Sequence, residues 1–255
     1  MLIMAVAIKS KKLMGTLSNL SYSENIEHEK DVLGGTFSIF DSDIYAAQIK
    51  LAYISKSESG ATGINFVFAI DDREYKEPLW VTNKSGENFY TKDGEKHYLQ
   101  GFLIADSIAL LAAKKPLASL DTEVKKIKVF NYELKEDVLI DAEVITALIG
   151  QTVKLALIHR KVFKREKVGN EYKDTDEVRD ENAINKVFRA ADNFTTHEIR
   201  ASAKEPNFYT KWLEKWKGQV QDRTTKKDGT IKPSAPKMGT SAASDVKPTA
   251  DSLFG

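Results

Sequence analysis

The chain has 255 residues, 42% hydrophobic and 29% charged, with 38 Lys and Arg against 37 Asp and Glu and a formal net charge of +1. Such a length suffices for one large domain or two small ones, and so balanced a charge means that any basic footprint has to be local. Cysteine is absent, which excludes disulfides, thiolate metal sites and cysteine nucleophiles, and the opening MLIMAVAI reads as neither an ordinary secretory signal nor a bilayer span.

Residues 1–30, with KSKK and SNLSYSENIEHEK, read as an N-terminal arm ahead of a core expected over 31–218. Period-two patterns begin after Gly34-Gly35. In DIYAAQIKLAY the odd positions Tyr45, Ala47, Ile49, Leu51 and Tyr53 make one apolar face, with Gln48 and Lys50 on the other. INFVFAI places Ile64, Phe66, Phe68 and Ile70 together. REYKEPLWVTN sets Tyr75, Leu79 and Val81 against Lys76, Trp80 and Thr82. Three such strands with short polar connections predict an antiparallel meander, with Pro78 marking a free edge or a bulge.

VTNKSGENFYTKDGEKHYLQGF, residues 81–102, reads as one long connection carrying Phe89, Tyr90, Tyr98 and Phe102. FLIADSIALLAA is a helix closed by Lys114-Lys115-Pro116. KKIKVFNYEL is strand-like, AEVITALIGQ a short helix ending at Gly150, and TVKLALIHRKVFKRE the longest strand. EKVGNEYKDTDEVRDE reads as a polar loop before NAINKVFRA. HEIRA reads as a further strand and EPNFYTKWLEKWKGQ as an aromatic helix. Residues 219–255 turn to Lys, Thr, Ser, Pro, Gly and Ala, the composition of a disordered tail. The order predicts a mainly β chain with added helices (α+β), a five-stranded antiparallel barrel of the oligonucleotide/oligosaccharide-binding (OB) type. A β-sandwich or an open α+β fold gives a similar string.

Three features point toward nucleic acid. Trp80 falls on the polar face of its strand beside Lys76, where an exposed indole suits sequence-tolerant base stacking; the bland alternative puts it under the following helix. The 153–167 strand holds six basic residues (Lys154, Arg160, Lys161, Lys164, Arg165, Lys167) against Glu166, a track for phosphates. Residues 171–181 hold six acids, so the two arms of one hairpin can equally neutralise each other. Third, the 81–102 connection offers rings and cations, with Gly86 and Gly94 to bend the backbone. The candidate nucleic-acid residues are Lys50, Lys76, Trp80, Lys84, Phe89, Tyr90, Lys92, Tyr98, Lys154, Arg160, Lys161 and Lys164. Catalysis finds little: none of the four histidines stands at i, i+4 to another, no phosphate-binding glycine loop occurs, and the nuclease-like Glu-x-Lys triplets at Glu123–Lys125 and Glu133–Lys135 arise easily in so charged a chain. No metal, cofactor or enzymatic activity is expected.

IKLAY, INFVFAIDDREYKEPLWVTNKSGENFY, LQGFLIADSIALL and ITALIGQTVKLALI, in that order, resemble the single-stranded DNA-binding proteins of tailed bacteriophages, those of podovirus replication systems in particular. The likeness runs over roughly residues 34–200. It implies an OB-type core that coats single strands during phage replication and recombination in the cytoplasm of an infected bacterium, without a membrane. It also implies a C-terminal segment for replication, recombination or transcription proteins. Many such proteins end in an acidic tail with a terminal aromatic. Residues 219–255 here hold six basic residues and four acids, and only the last stretch, with Asp251, Leu253 and Phe254, keeps the flavour of a docking peptide. The rival expectations are a metal-dependent phage nuclease or recombination enzyme, and a transcription-regulating interaction protein.

Overall fold

The structure, a computed structural model, describes residues 39–131, 134–169 and 171–224. The meander forms as its alternation requires. β1 (Asp43–Lys56), β2 (Thr62–Ile70) and β3 (Arg73–Trp80) pair antiparallel in sequence order. Ile64, Phe66, Phe68 and Ile70 of β2 are all buried, and they meet Tyr75 and Leu79 of β3 in the main core. Each such apolar side chain contributes about 1.5–3 kcal/mol on burial. On β1 the simple alternation breaks. A bulge between Ile49 and Leu51 leaves Lys50 as the extra residue, so Ala47, Ile49 and Ala52 face the core. Leu51 and Tyr53, expected on that face, turn outward instead and pack against a different cluster.

The 81–102 connection is not a loop throughout. It folds into a hairpin of β4 (Phe89–Lys92) and β5 (Glu95–Tyr98), separate from the main sheet, and leads into α1 (Gln100–Ala113). Lys114 in the left-handed conformation ends α1 ahead of Pro116, as the sequence signalled. Ile104, Ile108 and Leu111 of α1 enter the core between the meander and the later strands.

β6 (Glu123–Asn131) and β7 (Glu136–Val144) form a second hairpin, whose Ile127, Ala142 and Val144 cover Leu51 and Tyr53 on the outer face of β1. The AEVITALIGQ segment is thus the end of a strand followed by a short 3-10 turn at Thr146–Leu148, not a helix. Its Ala142 and Val144 are two apart and both buried, a period of two that overrides good helix formers.

β8 (Thr152–Val168) pairs with the first half of β1 and, along its whole length, with β9 (Glu171–Arg189). The expected polar loop is therefore the outer half of a long ribbon, turning at Gly169 with φ of +65°. β9 carries its own bulge at Asn185, which aims that side chain at the indole N–H of buried Trp212 (2.7 Å) on α3 (Asn207–Trp216). Trp212 closes a second cluster with Ala156, Ile158 and Phe188 on the far face of β8. HEIRA is not a strand but α2 (Thr196–Arg200), opened by a capping box in which Thr195 Oγ1 accepts from Glu198 N–H and Glu198 accepts from Thr195 N–H.

The folded part also continues past Gly218. β10 (Val220–Asp222) runs parallel to β8, held by Gly218 N–H donating to Ser42 O (2.8 Å) and Arg223 N–H donating to Lys161 O (2.9 Å). Of the residues read from sequence as the start of the tail, Val220–Asp222 are part of the sheet. Its path is β10-β8-β1-β2-β3, with β9 on β8 and the β6–β7 hairpin on β1. The chain is mainly β with antiparallel pairing, but the sheet is open: among the described residues no ladder joins β3 to β9. The 1–30 arm, Tyr132, Glu133 and residues 225–255 lie outside the described residues.

Candidate nucleic-acid interface

β3 ends in Trp80, 46% exposed on the outer face of the sheet, as its parity predicted. The indole lies across Gly63, its partner on β2: a Cβ there would stand 3.0 Å from Trp80 Cε3. That edge of the ring is therefore seated on the sheet. The Trp80 backbone meets the helix at Gly101 of α1.

The β4–β5 hairpin stands at the same end of β3. Asn83 shapes the entry, its side-chain oxygen accepting from the N–H groups of Ser85 (2.9 Å) and Glu87 (3.0 Å). Pairing of Phe89 with Tyr98 and of Tyr90 with His97 puts rings on both faces of the hairpin. On one face the Lys96 ammonium sits 4.2 Å from the Phe89 ring centre, and an open cleft is lined by Asn88, Phe89, Lys96 and Tyr98. On the other, Tyr90 and His97 lie 5.5 Å apart. Tyr98 also touches Phe102 of α1 (5.1 Å), which fixes the hairpin to the helix. Tyr90 and Tyr98 remain exposed, the arrangement a base-stacking surface needs. Asn88, Lys96 and His97 are not among the candidate residues; the alternation of Phe89-x-Thr91 with Lys96-x-Tyr98 is the signal that places Lys96 beside Phe89.

The predicted cations fall in several places. Lys50 is exposed at the β1 bulge, Lys76 is exposed and paired with Glu74 (2.9 Å), and Lys84 and Lys92 are exposed around the hairpin. Lys154 is half-buried and donates to Asn193 Oδ1 (2.6 Å). On the β8–β9 ribbon several cations meet an acid of the facing strand: Arg160 pairs with Glu181 (2.7 Å), Lys164 with Glu177 (2.9 Å) and Arg165 with Asp174 (3.2 Å). Lys161 is exposed, in register with Asp180 of β9 and Asp222 of β10. Near the ribbon tip, Lys167 reaches Glu58 of the β1–β2 loop (3.5 Å). Gly60 of that loop in turn approaches the Lys84 carbonyl, to 3.5 Å from a Cβ built there. The tip and the Trp80 end, far apart in sequence, thus meet through one short loop.

A second cleft lies on the ribbon. Arg160, Arg165, Arg179 and Arg223 line it together with Asp174, Glu181, Val162 and Phe163. Across from Arg160, the Tyr75 hydroxyl donates to the Glu77 carboxylate. Burial pushes the Glu77 carboxyl up to about 7, against the opposing pull of the Tyr75 hydrogen bond and Arg160, with Glu181 adding to the rise. A carboxyl raised in the fold stabilises it while protonated, so this contribution is complete below about 4.5 and is lost as pH rises through about 7. Glu77→Gln stays neutral and keeps the acceptor for Tyr75. It should raise Tm at pH 8 by roughly 4–8 °C, about 2 kcal/mol for a partly hydrated group, and leave Tm at pH 4 nearly unchanged. Melting curves at the two pH values check this; equal shifts at both would remove the charge as the cause.

Glu123 of the Glu-x-Lys triplet is engaged with Lys125 (3.1 Å), and Glu133 lies outside the described residues, as do Asp251, Leu253 and Phe254. Among the described residues no three His, Asp or Glu side chains gather as a metal site would require, and no helix is long and apolar enough to cross a membrane. No protein-family model and no curated protein matches the chain.

Proposed function

We propose that the chain is a non-enzymatic, sequence-tolerant single-stranded DNA-binding protein of the phage replication type. The observation that carries this is Trp80, 46% exposed on the outer face of β3 with one ring edge against Gly63, beside a hairpin that presents Phe89, Tyr90 and Tyr98 with Lys92 and Lys96. Every base offers a π-face, so such rings bind without reading sequence, and the neighbouring ammonium groups favour the phosphates. The strand order supports the same reading. The path β3-β2-β1-β8-β9, with α1 after β3, matches the order expected of an OB-type Greek key, open between β3 and β9. In this reading the C-terminal Asp251, Leu253 and Phe254 form the peptide that docks on replication, recombination or transcription proteins.

A titration with oligo(dT) tests the function. Trp212 is buried, Trp216 is half-buried against the Trp212 cluster and Trp80 is 46% exposed, so the part of the quenching that Trp80→Ala removes reports a base stacked on Trp80. Binding should need no magnesium, should be far weaker for duplex, and should weaken with salt at a log–log slope of about −0.7 per phosphate contact. Equal affinity for duplex would sink the reading, and magnesium-dependent cleavage would replace it with the nuclease alternative.

A further inference from the structure

We propose that the arginine-lined cleft on the β8–β9 ribbon, completed by Arg223 beyond β10, is a phosphate-binding site. This deepens the single-strand reading by naming where a backbone phosphate sits, away from the stacking rings, and it can stand or fall separately from that reading. Four guanidiniums line the cleft, from Arg160, Arg165, Arg179 and Arg223, against the two carboxylates of Asp174 and Glu181. A hairpin whose arms merely neutralise each other would match its charges one to one. Here Glu181 serves two arginines, accepting from Arg160 Nε through Oε1 (2.7 Å) and from Arg179 Nη2 through Oε2 (2.9 Å).

Arg223 adds a charge that forms no ion pair with a carboxylate among the described residues. Its Nε donates to Gln221 Oε1 (2.9 Å), a neutral acceptor that orients the guanidinium without offsetting it. Burial and the like charge of Arg160 both disfavour the charged form of Arg223, Glu181 acting against them. Holding two guanidiniums together at a partly dehydrated site is unfavourable unless an anion joins them. The planar fork of arginine matches phosphate oxygens in pairs, and several forks around one opening suit a phosphodiester better than a single point charge. Glu77, whose carboxyl burial raises, adds at most one further negative charge, so four guanidiniums still face no more than three carboxylates. The parallel pairing of β10 with β8 sets Gln221 beside Arg160, which places Arg223 at the cleft.

The test uses the full chain with Arg223→Gln, Arg179→Gln and Arg223→Lys, each first shown to melt cooperatively. Oligo(dT) titrations over a range of salt should give slopes shallower by about 0.7 for each Gln variant, with affinity at low salt about tenfold weaker. Arg223→Lys, which keeps the charge and serves if the Gln variant does not fold, should keep the slope and lose part of the affinity. In parallel, pyrophosphate should raise the Tm of the unmodified protein and not that of Arg223→Gln. If the unmodified protein binds oligo(dT) and every variant keeps its slope and affinity, the cleft is a structural ion cluster and the proposal is overturned while the single-strand reading stands. If oligo(dT) fails to bind but pyrophosphate acts through Arg223, the cleft is upheld and the single-strand reading falls. If neither ligand acts on the unmodified protein, both fall.

Discussion

Gly101→Ala should destabilise the protein by about 3 kcal/mol, lowering Tm by roughly 6–12 °C. Helix propensity alone says the opposite, since alanine in a helix is favoured over glycine by about 1 kcal/mol. The local packing decides. A Cβ at Gly101 would stand 2.2 Å from the Trp80 carbonyl oxygen and within 3.0 Å of its backbone N and C. Those atoms belong to a strand paired along its length and cannot swing aside as a side chain could. The helix would have to lift off the sheet. Because Leu99 N–H donates to Asn88 O (2.9 Å) and Tyr98 packs on Phe102, the aromatic hairpin would move with it. Affinity for oligo(dT) should therefore fall even in the folded fraction. A raised Tm would show that α1 does not approach β3 this closely.

Trp80→Ala should weaken oligo(dT) binding by about 1–3 kcal/mol, roughly 5- to 150-fold, with the salt slope nearly unchanged. The indole supplies π-surface and no charge, so its loss removes stacking and leaves counterion release alone. Stability should change little, because the ring is 46% exposed and one edge rests against Gly63, which offers no side chain to bury. Since the variant lacks the reporting fluorophore, anisotropy of a labelled oligo(dT) reads its binding. A sharp drop in Tm with unaltered affinity would assign Trp80 to the structure and take the stacking surface away from β3.

Local pattern determined a good deal of this protein by itself. The faces of β2 and β3, the exposure of Trp80, α1 with its stop before Pro116, and the aromatic helix at 207–216 all follow from alternation, helical composition and proline chemistry acting over a few residues. The T-x-x-E of Thr195–Glu198 carried its capping signal too, and the strand expected over HEIRA overlooked it. What stayed hidden depends on partners distant in the chain. The bulge at Lys50 sends Leu51 and Tyr53 outward because a hairpin seventy or more residues later covers them. The acidic stretch 171–181 reads as a loop until β8 supplies a cation opposite several of its acids, which turns a solvated sequence into a ribbon. Arg223 looks like the start of a tail until Ser42 and β8 hold β10 in the sheet. Alternation is written in neighbours, whereas the arginine cleft is set by cross-strand register, which no single segment encodes. Tertiary structure alone decided which charges are matched and which are left in excess.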